Sequence, residues 1–100
     1  MDGLELLKKQ EELLQEGVPH AVVTLVETEG TARTHGKMLV LADGSIYGTV
    51  GGGAGERLAI RDAVQLLEQG KNAVRSYQLD SPLSAAGKAC GGSLTVFIES

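Results

Sequence analysis

Three short segments of this sequence combine residue types that can do chemistry. The first is Gly51-Gly52-Gly53-Ala54-Gly55-Glu56, between a β-type run that ends at Val50 and a helical pattern over 55–69. Glycine serves where the backbone takes positive φ or where something must approach it closely. The first turn of a helix carries unpaired N–H groups and a partial positive charge, and both attract an anion such as phosphate. The run therefore has two readings, a ligand cradle or a tight strand-to-helix turn packed against another strand. Glu56 aligns with Ile60 and Ala63 at i, i+4 and i+7, so its carboxylate points inward at the helix start. Buried unpaired it would be costly. It is either a satisfied capping group or a site residue, a hydrogen-bond acceptor or proton shuttle.

The second segment is Cys90-Gly91-Gly92, and Cys90 is the chain's single cysteine. A lone thiol is usually a small hydrophobe. Here it stands at a loop-to-strand junction, where exposure can lower its pKa. The third segment, Gly30-Thr31-Ala32-Arg33-Thr34-His35-Gly36, is a polar loop with Lys37 just beyond. Its three cationic groups can meet an anion, or the loop is simply solvated. The two glycine-rich junctions form one pocket if their strands end at the same edge of the sheet.

Several familiar motifs are absent. The glycine run lacks the Gly-x-Gly-x-x-Gly spacing of dinucleotide sites, and Ala54 stands where a P-loop has lysine. His20 and His35 have no metal-ligand spacing, and one cysteine is too few for structural zinc.

The remaining residues must form the elements that position these segments. Asp2 with Glu5 resembles a capping box, and Leu4, Leu6, Leu7, Leu13 and Leu14 make an amphipathic helix stopped by Gly17 and Pro19. Residues 20–28 read as a strand apolar on both faces, suited to the centre of a sheet. Residues 37–42 and 45–50 read as a hairpin about Asp43-Gly44, which delivers the chain into the glycine run. The second helix has Ala59, Ile60, Ala63, Leu66 and Leu67 on its apolar face and ends at Gly70. Residues 72–78 read as a strand whose Arg75 and Tyr77 suggest an edge or a wet face. Residues 93–99 form the last strand, with Leu94, Val96 and Ile98 inward. The expected fold is α+β, one domain over residues 1–100, with two helices and a mixed, mainly antiparallel sheet of about five strands.

Bulk properties narrow the function. One hundred residues fit one domain. The net charge of −4 and the absence of a basic run argue against nucleic acid as a partner. No apolar run reaches the length of a membrane span, and the N-terminus does not read as a signal peptide. With one cysteine, the expected location is the reducing cytoplasm.

Taken together, the segments resemble the N-terminal domain of the xanthine dehydrogenase accessory factor family, XdhC/CoxI. Val26-Glu27-Thr28-Glu29-Gly30-Thr31-Ala32-Arg33 is similar to the family's strand and loop. Gly36-Lys37-Met38-Leu39-Val40-Leu41-Ala42-Asp43-Gly44-Ser45-Ile46-Tyr47-Gly48-Thr49-Val50-Gly51-Gly52-Gly53 is similar to its hairpin, and Cys90-Gly91-Gly92-Ser93-Leu94-Thr95-Val96-Phe97-Ile98-Glu99 to its closing strand. The resemblance implies an accessory protein for molybdenum hydroxylases. Such a protein binds molybdenum cofactor (molybdopterin), protects it during exchange of an oxo for a sulfido ligand, and helps insert it into the apo-enzyme.

Under that resemblance the cofactor's phosphate suits Gly51, Gly52 and Gly53 with Arg33, and Glu56 suits pterin N–H groups. Cys90, beside Gly91 and Gly92, suits the metal or sulfur end. Two departures stand out. Ala54 replaces a cysteine that many members carry after the glycine run, and Arg33 follows alanine rather than proline. The resemblance does not reach the family's Rossmann-like second module, so a separate Rossmann-type partner subunit is one expectation. A homo-oligomer is also open. No catalytic residue is firm beyond the candidate Cys90, and no metal site is expected. Two rivals remain: an interaction module or small subunit with no ligand of its own, and a sulfur carrier using Cys90.

Overall fold

The computed structural model describes residues 2–29, 36–78 and 93–100. The elements follow one another as α1 (Gly3–Glu16), β1 (His20–Glu29), β2 (Lys37–Leu41), β3 (Ile46–Thr49), α2 (Gly53–Gln69), β4 (Ala73–Gln78) and β5 (Ser93–Glu99). The strands form one sheet in the order β3-β2-β1-β5-β4. This is the expected α+β fold with two helices and five strands. Every described pairing is antiparallel, so the sheet is not mixed. The α2 crossover carries the chain from one edge strand, β3, to the other, β4, which runs against β5 rather than along it.

Local chemistry sets the boundaries. Asp2 accepts the Glu5 N–H at 2.8 Å while the Glu5 carboxylate accepts the Asp2 N–H at 3.1 Å, a full capping box. Gly17 and Gly70 end the two helices in the left-handed conformation. At the β2–β3 hairpin Asp43 accepts from the Ser45 hydroxyl at 2.6 Å and from its N–H at 2.9 Å. Those bonds hold the Asp43 carboxyl below its ordinary range.

The helices lie on opposite faces of the sheet. α2 packs Ala59, Ala63 and Leu66 against Ala21, Val23, Met38, Val40, Val96 and Ile98, all of them buried. α1 covers the other face with Leu6 and Leu13, which meet Leu39. Of the five leucines expected to pack, Leu4, Leu7 and Leu14 remain exposed. The expected central strand is central: β1 has two strands on each side. β4 is an edge, as Arg75 suggested, but Tyr77 is buried rather than wet. Its hydroxyl donates to Asp62 on α2 at 2.6 Å, with Arg75 Nε 3.7 Å from the same carboxylate oxygen. Burial, aided by this bond, pushes the Tyr77 hydroxyl well above the usual phenol range.

Candidate functional site

The junction between β3 and α2 is held from inside by one carboxylate. Oε1 of Glu56 accepts from the Val50 N–H at 3.0 Å, from the Gly52 N–H at 3.1 Å and from the Thr49 hydroxyl. Thr49 Oγ1 in turn accepts the Gly51 N–H at 3.0 Å. Three successive N–H groups, those of residues 50–52, therefore point inward to Thr49 and Glu56. Glu56 is half-buried and sits in the first turn of α2, where the helix dipole favours its charge. Its carboxylate is thus satisfied by the turn that precedes the helix, while α2 itself has no side-chain cap. Thr49 was not singled out in the sequence. The signal available was a hydroxyl seven residues before a glutamate, bracketing glycines.

This arrangement narrows where an anion can bind. The turn's own N–H groups at 50–52 are engaged by the protein. The head of α2 proper is different: its N-cap, Gly52, provides no side-chain cap. Gly52 and Gly53 lie at φ of 77° and 74°, and a Cβ on either would meet nothing within 4 Å. Both are exposed, as is Ala54. The N–H groups of the first helical turn, at Gly53, Ala54 and Gly55, are the donors that suit a phosphate here. The helix begins at Gly53 rather than at the expected 55, which places these glycines inside its first turn.

Close backbone contacts bring Gly36, just before β2, to this junction. The Leu25 N–H donates to the Gly36 carbonyl at 2.8 Å. A Cβ at Gly36 would lie 3.1 Å from Val50 Cα and 3.2 Å from the Thr49 carbonyl oxygen. Gly48, at φ 83°, lies closer still to β2: a Cβ there would meet the Lys37 carbonyl oxygen at 2.6 Å.

The strand registers fix which junctions share an end of the sheet. Lys37 pairs with both Thr24 and Thr49, while Ser93 pairs with both Glu29 and Gln78. Hence the start of β2 and the end of β3 are level with Thr24, whereas the end of β4 and the start of β5 are level with Glu29, further along β1 in the same direction. β3 and β5 are three strand spacings apart, about 14 Å. Of the expected site residues, Gly51, Gly52, Gly53 and Glu56 are together in this junction. Arg33, Cys90, Gly91 and Gly92 lie outside the described residues, as does His35. Among the described residues no cluster of His, Cys, Asp or Glu could hold a metal ion, and no helix is long and apolar enough to cross a membrane.

Residues 13–78 match the model of the XdhC and CoxI family. The chain is 34% identical over 98 residues to an uncharacterized protein, YqeB, of Escherichia coli K12, covering 96% of this chain and 18% of that protein. It is also 34% identical over 100 residues to the molybdenum cofactor insertion chaperone PaoD of the same organism, covering 98% of this chain and 31% of PaoD. A solved structure of a xanthine dehydrogenase from Bacillus halodurans superposes with a TM-score of 0.71 at 23% identity, over 93% of this chain and 29% of that one. The chain thus spans less than a third of the length of each of these proteins.

Proposed function

This chain belongs to the XdhC and CoxI family, and on that premise we propose that it is a cofactor-handling module in the maturation of molybdenum hydroxylases. It receives molybdenum cofactor by its phosphate end at the head of α2 and presents it to the apo-enzyme in the cytoplasm. Residues 1–100 act as one module in this scheme. PaoD, the similar protein named as a molybdenum cofactor insertion chaperone, supports the pathway. The observation that carries the binding mode is the first turn of α2, which has no side-chain cap and is lined by exposed glycine backbone.

Each residue has a part. Gly53, Ala54 and Gly55 offer backbone N–H groups to the phosphate, and Arg33 adds a charge-assisted contact. Thr49 and Glu56 hold the turn in the shape that leaves those N–H groups facing outward. Glu56 is in this scheme a positioning residue rather than the contact for pterin that the resemblance implied. Cys90, beside Gly91 and Gly92, is the soft group for the metal or sulfur end. The cofactor itself, when bound, supplies the redox chemistry that the client enzyme uses.

The test is anaerobic purification of the chain from cells that make the cofactor, followed by molybdopterin analysis. Wild type should carry pterin, while Arg33→Ala and Ala54→Asp should carry several-fold less. Ala54→Asp places a negative charge where the phosphate would sit. Absence of pterin from the wild-type chain, or full loading of Ala54→Asp, would overturn the proposal.

A further inference from the structure

A second set of polar groups lies away from the head of α2, beside α1. Gln10 and Leu14 of α1, His20 and Val22 of β1, Lys37 of β2 and Glu99 of β5 line an open groove of about 330 Å³. Val22 stands between Leu39 of β2 and Glu99 of β5 and forms an apolar floor. Leu14 is an exposed apolar part of the helix wall. The β5 wall is anchored by Ser100, whose N–H donates to Asn72 Oδ1 at 2.9 Å and whose hydroxyl donates to the Lys71 carbonyl at 2.9 Å. This is the end of β5 away from β4–β5 chain connection: Glu99 pairs with Val22, whereas Ser93 pairs with Glu29, about 20 Å along the strand.

The polar groups of the groove are unengaged. Lys37 and Glu99 carry opposite charges, yet neither side chain has an ion pair or hydrogen bond among the described residues. The registers explain why. Lys37 is level with Thr24 and Glu99 with Val22, and β1 stands between their strands, so their Cα atoms are about 12 Å apart. Gln10 is half-buried, and its amide likewise has no partner among the described residues. His20 is turned by its backbone: its Nδ1–H donates to the Val18 carbonyl at 2.9 Å. A carbonyl only accepts, so Nε2 is the ring atom left for another partner, and in the neutral ring it is an acceptor. The groove is therefore polar along its length, with a cation at the Lys37 end and acceptors at the Glu99 and His20 end.

We propose that this groove binds a small zwitterion of dipeptide size, which bridges Lys37 and Glu99. Its carboxylate pairs with Lys37, and its ammonium donates to Glu99 and to His20 Nε2, all charge-assisted contacts. Its amide link meets the Gln10 side chain, and an apolar side chain lies on Val22 and Leu14. Size and polarity together select this class. The volume lies at the small end of the range for small-ligand sites. A simple anion would leave the Glu99 carboxylate facing it, and a simple cation would leave the Lys37 ammonium facing it. A ligand with both signs, set apart by an amide, satisfies both ends at once.

Titration of the full, isotope-labelled chain with alanyl-leucine, followed by amide chemical shifts, tests the proposal. Saturable shifts should appear at Val22, Lys37 and Glu99. N-acetyl-alanyl-leucine lacks the ammonium and alanyl-leucinamide lacks the carboxylate, and each should bind at least about tenfold more weakly. Lys37→Met and Glu99→Gln, both at exposed positions, should keep the wild-type circular dichroism spectrum and weaken alanyl-leucine binding by a similar factor. No saturable shift up to about 10 mM dipeptide would overturn the proposal. So would equal binding of the blocked and unblocked dipeptides, or full binding by either variant. Ala54→Asp, which alters the head of α2, should bind alanyl-leucine like wild type; the readout involves no cofactor, so its outcome is separate from that of the cofactor proposal.

Discussion

The two helices of this domain begin in opposite ways. α1 is closed by its own side chains, with Asp2 and Glu5 exchanging hydrogen bonds across the first turn. α2 opens on bare glycine, and its acidic residue, Glu56, is turned backward to brace the strand that precedes it. The first arrangement serves helix stability. The second spends a carboxylate on the shape of a turn and leaves the helix head uncapped. A helix that packs against four strands does not depend on its cap for stability, so α2 can leave its head open. Under the proposed function, this difference leaves the N-terminus of α2 to the phosphate of the cofactor.

The sharpest way to break this comparison is to disturb the strand on which the brace hangs. Gly48→Ala forces a positive-φ residue to carry a Cβ 2.6 Å from the Lys37 carbonyl oxygen. The expected loss is roughly 2–5 kcal/mol in urea unfolding. An unchanged midpoint would mean that β3 does not press on β2 as described. Next in size is Glu56→Ala, which strips acceptors from the Val50 and Gly52 N–H groups and should cost roughly 1–3 kcal/mol. Asp2→Ala, which removes only an exposed cap, should cost about 1 kcal/mol and less than Glu56→Ala. The reverse order would show that the turn at 50–52 needs no brace.

Tyr77→Phe probes the other attachment of α2 and should cost about 0.5–1.5 kcal/mol near neutral pH. Its sign with pH follows from the raised pKa. The folded chain keeps the Tyr77 proton after the unfolded chain has lost it, so this contribution is complete below about pH 10 and fades as pH rises past that value. The wild-type advantage over the phenylalanine variant should therefore shrink in alkali; a constant difference up to pH 11 would argue against the Asp62 bond. The smallest effect is a gain. Ala54→Asp adds an anion to the open head of α2 and should stabilise the free protein by about 0.3–1 kcal/mol at low salt.

Much of the scaffold is legible in the sequence because local chemistry dictates it. The capping box at Asp2 and Glu5, the stops at Gly17 and Gly70, the Asp43-Gly44 hairpin and the last strand at 93–99 all follow from residue type and spacing. What is not legible depends on packing between distant segments. Periodicity allows Leu4, Leu7 and Leu14 to pack, yet the width of the sheet available to α1 is filled by Leu6 and Leu13. Tyr77 looks suited to a wet edge until Asp62 is seen to reach it from α2. At the site, the glycine run signals its special backbone, but the inward direction of the N–H groups at residues 50–52 comes from Thr49 and Glu56 acting together. Neither residue announces that partnership alone.

The most direct test compares the open helix head with and without an added charge. Anaerobic thermal unfolding would be measured for wild type and Ala54→Asp, each alone and with molybdenum cofactor. At about a hundred times its Kd the cofactor should add about 2.7 kcal/mol to wild type, and it should add little to Ala54→Asp although that variant is no less stable alone. An equal gain in both proteins would place the cofactor elsewhere, and no gain in wild type would remove it from the account.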